Sequence, residues 1–230
     1  MDAWQALLEE QKAYYEARAA EYDEWWERRG RYDLGPAGNQ AWRDEIADLH
    51  AAFDALALDG EVLEVAAGTG NWTRYLAGRA RHVTALDASA AALACCRAKL
   101  ARAGLDARVS FEQRDVFAWR PARRYDVVFA AFFLSHVPAA RVAGFLAWAR
   151  DALAPGGLLV LLEGQGRGAS GARVDDETEL RELNDGRRFR IVKRHDSAAE
   201  WARHLAEAGL DARIGTTREQ FMYAVATARA

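Results

Sequence analysis

From Glu61 onward the chain alternates short apolar runs with segments of helical spacing, and this alternation constrains the fold more than any other feature. The runs "EVLEVAA", "HVTALD", "RVSFEQRD", "YDVVFAAFF" and "LLVLLEG" are strand-length and rich in Val, Leu and Phe. Between them lie "NWTRYLAGRA", then "SAAALACCRAKLARAG" with Ser89 as its cap and Gly104 as its stop, and a helix opened by Pro138 that Pro155-Gly156-Gly157 ends. Short apolar strands separated by helices form a parallel sheet covered on both faces. "ARIGTTREQ" and "FMYAVATA" close the chain as two more strands joined by a short link, so the last should run antiparallel. The expected fold is α/β: a doubly wound, mostly parallel, seven-stranded Rossmann-like sheet with an antiparallel last strand.

The segment before the sheet, residues 1–58, differs. Trp4, Leu8, Tyr15, Tyr22 and Trp26 recur at helical intervals and predict one helix with an aromatic face. A turn around "RRGRYDLGPAGN" leads to a second helix, Asn39 to Leu56, with Trp42, Ile46, Leu49 and Phe53 on one side. The stripe reads as core packing or as a lid over a site, and both hold if it packs across one. Residues 59–230 then form the main core. Within them Gly164 to Gly186, with its "DDETELRE" run, reads as a surface insertion, and "RRFRIVKRHD" as an added strand or ribbon. A capping box from Ser197 to Glu200 starts the last helix.

Composition narrows the classes of function. A net charge of -3, with Lys and Arg scattered among acids, gives no basic stripe for nucleic acid. No window is apolar enough to span a bilayer, and the charged N-terminus lacks a signal-peptide core. The two cysteines, Cys95 and Cys96, are neighbours in an Ala-rich helix, which suits small apolar filler in a reducing cytoplasm. No His, Asp and Glu cluster has metal-ligand spacing, so no metal is expected.

The chemistry concentrates in "VLEVAAGTGNWTRYLA". Glu64 is a carboxylate inside an apolar strand, and Gly68 and Gly70 break the chain directly after it. Glycines here let the backbone turn tightly and approach a ligand. Asp87 follows about 20 residues later, the offset at which nucleotide-binding α/β folds present a ribose ligand. A dinucleotide fingerprint wants a third glycine where this chain has Thr73, and does not require an acid such as Asp115 after the third strand.

Together the motifs resemble the class I S-adenosylmethionine-dependent methyltransferases, within the subgroup acting on small molecules. "VLEVAAGTG", "VTALDAS", "FEQRDVF", "YDVVFAAFFLSHVP" and "LAPGGLLVLLE" match that family's motifs in order, over about Glu61 to Glu163, and "YYEARAAEYDEWW" resembles its lid helix. The resemblance implies S-adenosyl-L-methionine as cofactor and an oxygen or nitrogen of a small molecule as methyl acceptor. It implies that Glu64 anchors the methionine ammonium and that the turn through Ala66, Gly68 and Gly70 lies along the methionine and ribose. Asp87 would accept from both ribose hydroxyls, Ala88 and Ser89 would flank the adenosine, and Asp115 with the Val116 amide would read the adenine edge. Ala131 and Phe132 would border the sulfonium. His136, alone of the five histidines inside a motif, is the candidate base, with Tyr14, Tyr15 and Tyr22 in reserve. A nicotinamide-dependent oxidoreductase and a non-catalytic cofactor-binding protein of the same fold are the competing readings.

Overall fold

In the computed structural model, residues 3–165, 172–173 and 177–229 are described. The strands β1 (Glu61–Val65), β2 (His82–Asp87), β3 (Val109–Gln113), β4 (Tyr125–Ala131), β5 (Leu153–Gly164), β9 (Leu210–Thr216) and β10 (Phe221–Ala228) form one sheet of order β3-β2-β1-β4-β5-β10-β9. β1 to β5 pair in parallel, and β10 runs antiparallel to both β5 and β9. The order reverses between β1 and β4, which opens a crevice at the carboxyl ends of the strands.

The strand period of two sorts side chains to the two faces. Val62, Val83, Val127, Phe129 and Val160 face one way, onto α3 (Gly35–Asp54), α4 (Asn71–Ala77) and α5 (Ala90–Ala103). Leu63, Val65, Leu86, Val128, Leu159 and Leu161 face the other, onto α6 (Ala139–Ala152) and α7 (Ala198–Glu207). Local signals place the helix ends as expected. Ser89 accepts from the Ala92 amide and Gly104 closes α5 in the left-handed region; Ser197 and Glu200 form a complete capping box. No helix among the described residues is long and apolar enough to cross a membrane.

Three expectations change. The aromatic helix is two helices, α1 (Ala3–Arg18) and α2 (Tyr22–Trp26), separated by a turn closed by Glu21 N donating to Arg18 O. Neither Gly nor Pro marks that break. Second, α6 ends at Ala152 and β5 begins at Leu153, so the Pro155-Gly156-Gly157 stretch lies within the strand. Its register against β4 shifts between Tyr125 and Val127. Third, the supposed surface insertion contributes two strands, β6 (Ala172–Arg173) and β7 (Thr178–Glu182), which join β8 (Arg188–Val192), the strand expected in "RRFRIVKRHD", to form a second, antiparallel sheet. Residues 166–171 and 174–176 of that stretch lie outside the described residues. Thr178, Glu179 and Arg181 are buried, and charges persist there because they pair: Arg181 lies 2.7 Å and His195 2.9 Å from Glu179. α1 packs against β8 and spans from this small sheet to the crevice of the large one.

Candidate active site

The crevice becomes a cleft where β1, β2 and β4 end and α1 crosses above them. β1 passes into its loop through Ala66 with φ 55°, and β4 leaves through Phe132, also with φ 55°. Two non-glycine residues in the left-handed region flank the switch point, the kind of strain that persists at functional sites. Gly68 carries φ 57°, so its glycine identity serves the turn. Gly70, at φ 88°, serves the turn and something else. A Cβ there would lie 2.5 Å from Cys96 Sγ, so this glycine lets α4 and α5 pack closely.

Of the residues singled out from sequence, Ala66, Gly68, Asp87, Ala88, Ser89, Asp115, Val116, Ala131, Phe132, Tyr15, Tyr22 and His136 line one cleft. Glu64 lines a narrower side pocket that shares Tyr22, Ala66, Gly68 and Phe132 with the main cleft and is roofed by Trp25 and Trp26. Gly70 and Tyr14 line neither among the described residues. Tyr14 packs with Leu183 and Ile191 of the small sheet instead.

The carboxylates are positioned by backbone amides. Asp87 Oδ2 accepts from Gly68 N and Oδ1 from Ser89 N, both at 2.8 Å. A carboxylate has about four lone-pair sites, so acceptor capacity remains for hydroxyl donors. Burial raises the Asp87 pKa, and the backbone amides offset that only in part. Asp115 Oδ1 accepts from Phe117 N at 2.9 Å. Glu64 is 2% exposed and its Oε2 has no hydrogen-bond partner among the described residues. Burial pushes its pKa up to about 8, against a hydrogen bond from Thr73 and with help from the nearby Asp87 charge. A buried carboxylate oxygen lacking a donor beside an aromatic-roofed pocket fits a ligand ammonium.

α1 and α2 are tied down by polar residues that sequence reading missed. Lys12 Nζ sits 2.7 Å from Asp115 Oδ2. Glu16 accepts from Ser89 Oγ at 2.6 Å and from Ala91 N at the start of α5, where the helix dipole favours an anion. Asp23 of α2 accepts from Thr69 Oγ1 at 2.6 Å and Asn71 Nδ2 at 3.1 Å, and pairs with Lys99 at 2.9 Å. Burial opposes the Asp23 charge, but Thr69 and Lys99 outweigh it and hold the pKa below the usual range. A signal was present: Lys12, Tyr15, Glu16 and Ala19 share the helical face that the aromatic stripe defines.

His136 is 9% exposed, and both ring nitrogens are engaged. Nδ1 lies 2.7 Å from Val192 O, a pure acceptor, so Nδ1 carries the proton. Nε2 therefore accepts from the Tyr15 hydroxyl at 2.9 Å. Burial and the positive charge of Lys193 hold the His136 pKa well below its ordinary value. A pKa held that low makes the imidazole a weaker candidate base than its place in the motif suggests. Burial likewise raises Tyr15 and Tyr22, so neither phenol ionises readily at neutral pH.

Amide-held carboxylates at the ends of β2 and β3, a strained turn after β1 and a buried acid with one unpartnered oxygen among the described residues are what a nucleoside-cofactor site of a doubly wound α/β enzyme requires. The methyltransferase-domain family profile matches residues 62–157. The solved complex of DhpI with S-adenosylhomocysteine (SAH) is 37% identical, covers 97% of each chain and superposes with a TM-score of 0.77. A DhpI complex with S-adenosylmethionine (SAM) and HEP is equally identical at 37%, covers 96% of this chain and 97% of the other, and has a TM-score of 0.77. A methyltransferase from Clostridium acetobutylicum ATCC 824, 16% identical over 94% of this chain and 100% of its own, shares the fold with a TM-score of 0.64. No curated protein sequence matches the chain. The chain belongs to the S-adenosylmethionine-dependent methyltransferases. It is an enzyme of that class, and S-adenosylmethionine is its cofactor.

Proposed function

We propose that this enzyme methylates an oxygen or nitrogen of a small molecule, enclosed between the core of residues 59–230 and a lid supplied by α1 and α2 within residues 1–58. The observation that carries this reading is the lid itself. α1 crosses the cleft, and Lys12, Glu16 and Asp23 fasten the lid to three separate loops of the core. An acceptor held beneath a fastened helix has to be small. The DhpI complex with SAM and HEP, a relative of this length, supports the same reading. The two unpaired cysteines suit a reducing cytoplasm.

S-adenosylmethionine supplies an activated methyl group together with its own leaving group. The protein's work is to bind, align and exclude water. In this reading Glu64 gives its unpartnered oxygen to the methionine ammonium. Asp87 uses its remaining lone pairs on the ribose hydroxyls, Ala88 and Ser89 flank the adenosine, and Asp115 with the Val116 amide holds the adenine edge. Ala66, Gly68, Ala131 and Phe132 border the methionine and the methyl group. Trp25, in edge contact with Phe132 at 5.0 Å between ring centres, adds an aromatic wall near a cationic sulfur. His136, neutral and engaged at both nitrogens, orients the Tyr15 hydroxyl into the cleft rather than removing a proton.

The test is incubation with isotopically labelled methyl donor and pools of small-molecule acceptors. Label transferred to a small molecule, with stoichiometric release of S-adenosylhomocysteine, is the expected result. Label found only on protein or nucleic acid would overturn the reading.

A further inference from the structure

Trp72 is the second residue of α4, directly behind the turn through Gly68 and Gly70. It is 4% exposed and lines the side pocket together with Glu64. Its indole nitrogen is buried and has no hydrogen-bond partner among the described residues. Two other buried indoles show what such a group ordinarily finds. Trp42 Nε1 donates to Trp26 O at 3.1 Å, and Trp148 Nε1 donates to Trp119 O at 3.0 Å. Around Trp72 the rings of Trp26, Phe53 and Phe129, centred 5.8, 5.6 and 5.5 Å from its own, carry no side-chain acceptor. An indole N–H can only donate, and burying it without an acceptor costs its desolvation.

The same pocket holds the opposite deficiency. Glu64 Oε2 is a buried acceptor without a donor, and the indole and this carboxylate do not pair with each other. Thr69 and Asn71, which also line the pocket, donate to Asp23, and Lys99 pairs with that same carboxylate. No Lys or Arg among the described residues lines the pocket. An orphan donor and an orphan acceptor in one pocket complement a ligand end that carries both an anion and a cation. An α-amino acid is such an end, because its ammonium and its carboxylate sit on one carbon.

We propose that Trp72 is a cofactor-binding residue whose indole N–H donates to the carboxylate at the methionine end of S-adenosylmethionine, while Glu64 takes the ammonium. This extends the cofactor reading of Glu64 and rests on it. A neutral donor suits the place. A Lys or Arg there would pair with Glu64 and close the pocket in the absence of ligand. An indole N–H leaves the Glu64 charge to the incoming ammonium and still gives the carboxylate a partner out of water.

Calorimetry with two ligands tests this: SAH, and the SAH analogue that lacks the carboxylate, each titrated into wild type and Trp72→Phe. Wild type should prefer SAH. Trp72→Phe should weaken SAH binding by roughly tenfold or more, the scale of a hydrogen bond to a charged acceptor, and leave the analogue within about twofold of wild type. That selectivity separates a direct contact from a structural effect, because a distorted pocket weakens both ligands alike. Phe also removes ring volume from the aromatic cluster, so a second replacement keeps the shape. Benzothienylalanine at position 72, a bicycle with sulfur in place of the N–H, should give the same selective loss. Equal weakening of both ligands by this isostere, or SAH affinity unchanged from wild type, would overturn the proposal and leave Glu64 as the ammonium partner. Failure of SAH to bind wild type would remove the cofactor reading beneath it as well.

Discussion

Replacing Glu64 by Gln removes a charge from a place where a charge is costly, and the consequences for stability and binding have opposite signs. The ligand-free protein raises the Glu64 pKa from 4.5 to about 8. Between those values the folded state binds a proton that the unfolded state has released, so stability falls as pH rises through this window. At about 1.4 kcal/mol per unit, the full window is worth on the order of 3–5 kcal/mol. Glu64→Gln keeps the size and the hydrogen-bonding partner Thr73 but not the titration. Urea denaturation of ligand-free protein between pH 5 and pH 9 reads the effect directly. Wild type should lose stability steadily toward about pH 8 and then level off, while the variant stays flat and is the more stable protein at the alkaline end. SAH affinity should move the other way, rising with pH in wild type and falling at least roughly tenfold in Glu64→Gln, as an ammonium loses its counter-charge. A variant less stable than wild type at pH 8.5, or a wild-type stability curve without the slope, would refute the argument that Glu64 is buried without compensation.

Other outcomes follow from single contacts. Gly70→Ala, with φ 88° and a Cβ 2.5 Å from Cys96 Sγ, should destabilise by about 2–4 kcal/mol in denaturant titration while leaving the cleft lining unchanged. Asp23→Ala should speed amide exchange in residues 3–26 of the ligand-free protein, and SAH should slow it in wild type; equal exchange in every state would make α1 and α2 plain core. His136→Gln should lower turnover less than about tenfold with no change in the acidic limb of the pH–rate profile, since the imidazole is not the proton acceptor; a hundredfold drop with loss of that limb would restore it as the base.

The sheet and its cofactor edge were legible because their signals are local. Val62-Leu63, then Glu64 and the glycines, fix strand, turn and ligand side within ten residues, and Asp87 follows at the offset that parallel pairing of β1 with β2 demands. Ser89, Gly104 and the Ser197–Glu200 box state their helix ends outright. What was not legible depends on distant partners. Asp23 reads as one more acid on a charged helix until Thr69 and Lys99 arrive from elsewhere in the chain. The "DDETELRE" run looks solvated because nothing local shows that Arg181 will pair with Glu179 and that His195 will lie 2.9 Å from it. His136 looked like a base because its motif is visible, whereas Val192 and Lys193, which take away its basicity, lie more than fifty residues downstream.

The central claim is that the carboxylate at the end of β2 holds the ribose of S-adenosylmethionine in the cleft beneath α1. Isothermal calorimetry of SAH with wild type and Asp87→Ala tests it most directly. Wild type should bind one equivalent, and the variant should lose about 2–3 kcal/mol, roughly thirty- to more than a hundredfold in affinity, the scale of hydrogen bonds to a charged acceptor. A folded Asp87→Ala protein that binds SAH as tightly as wild type would contradict the account.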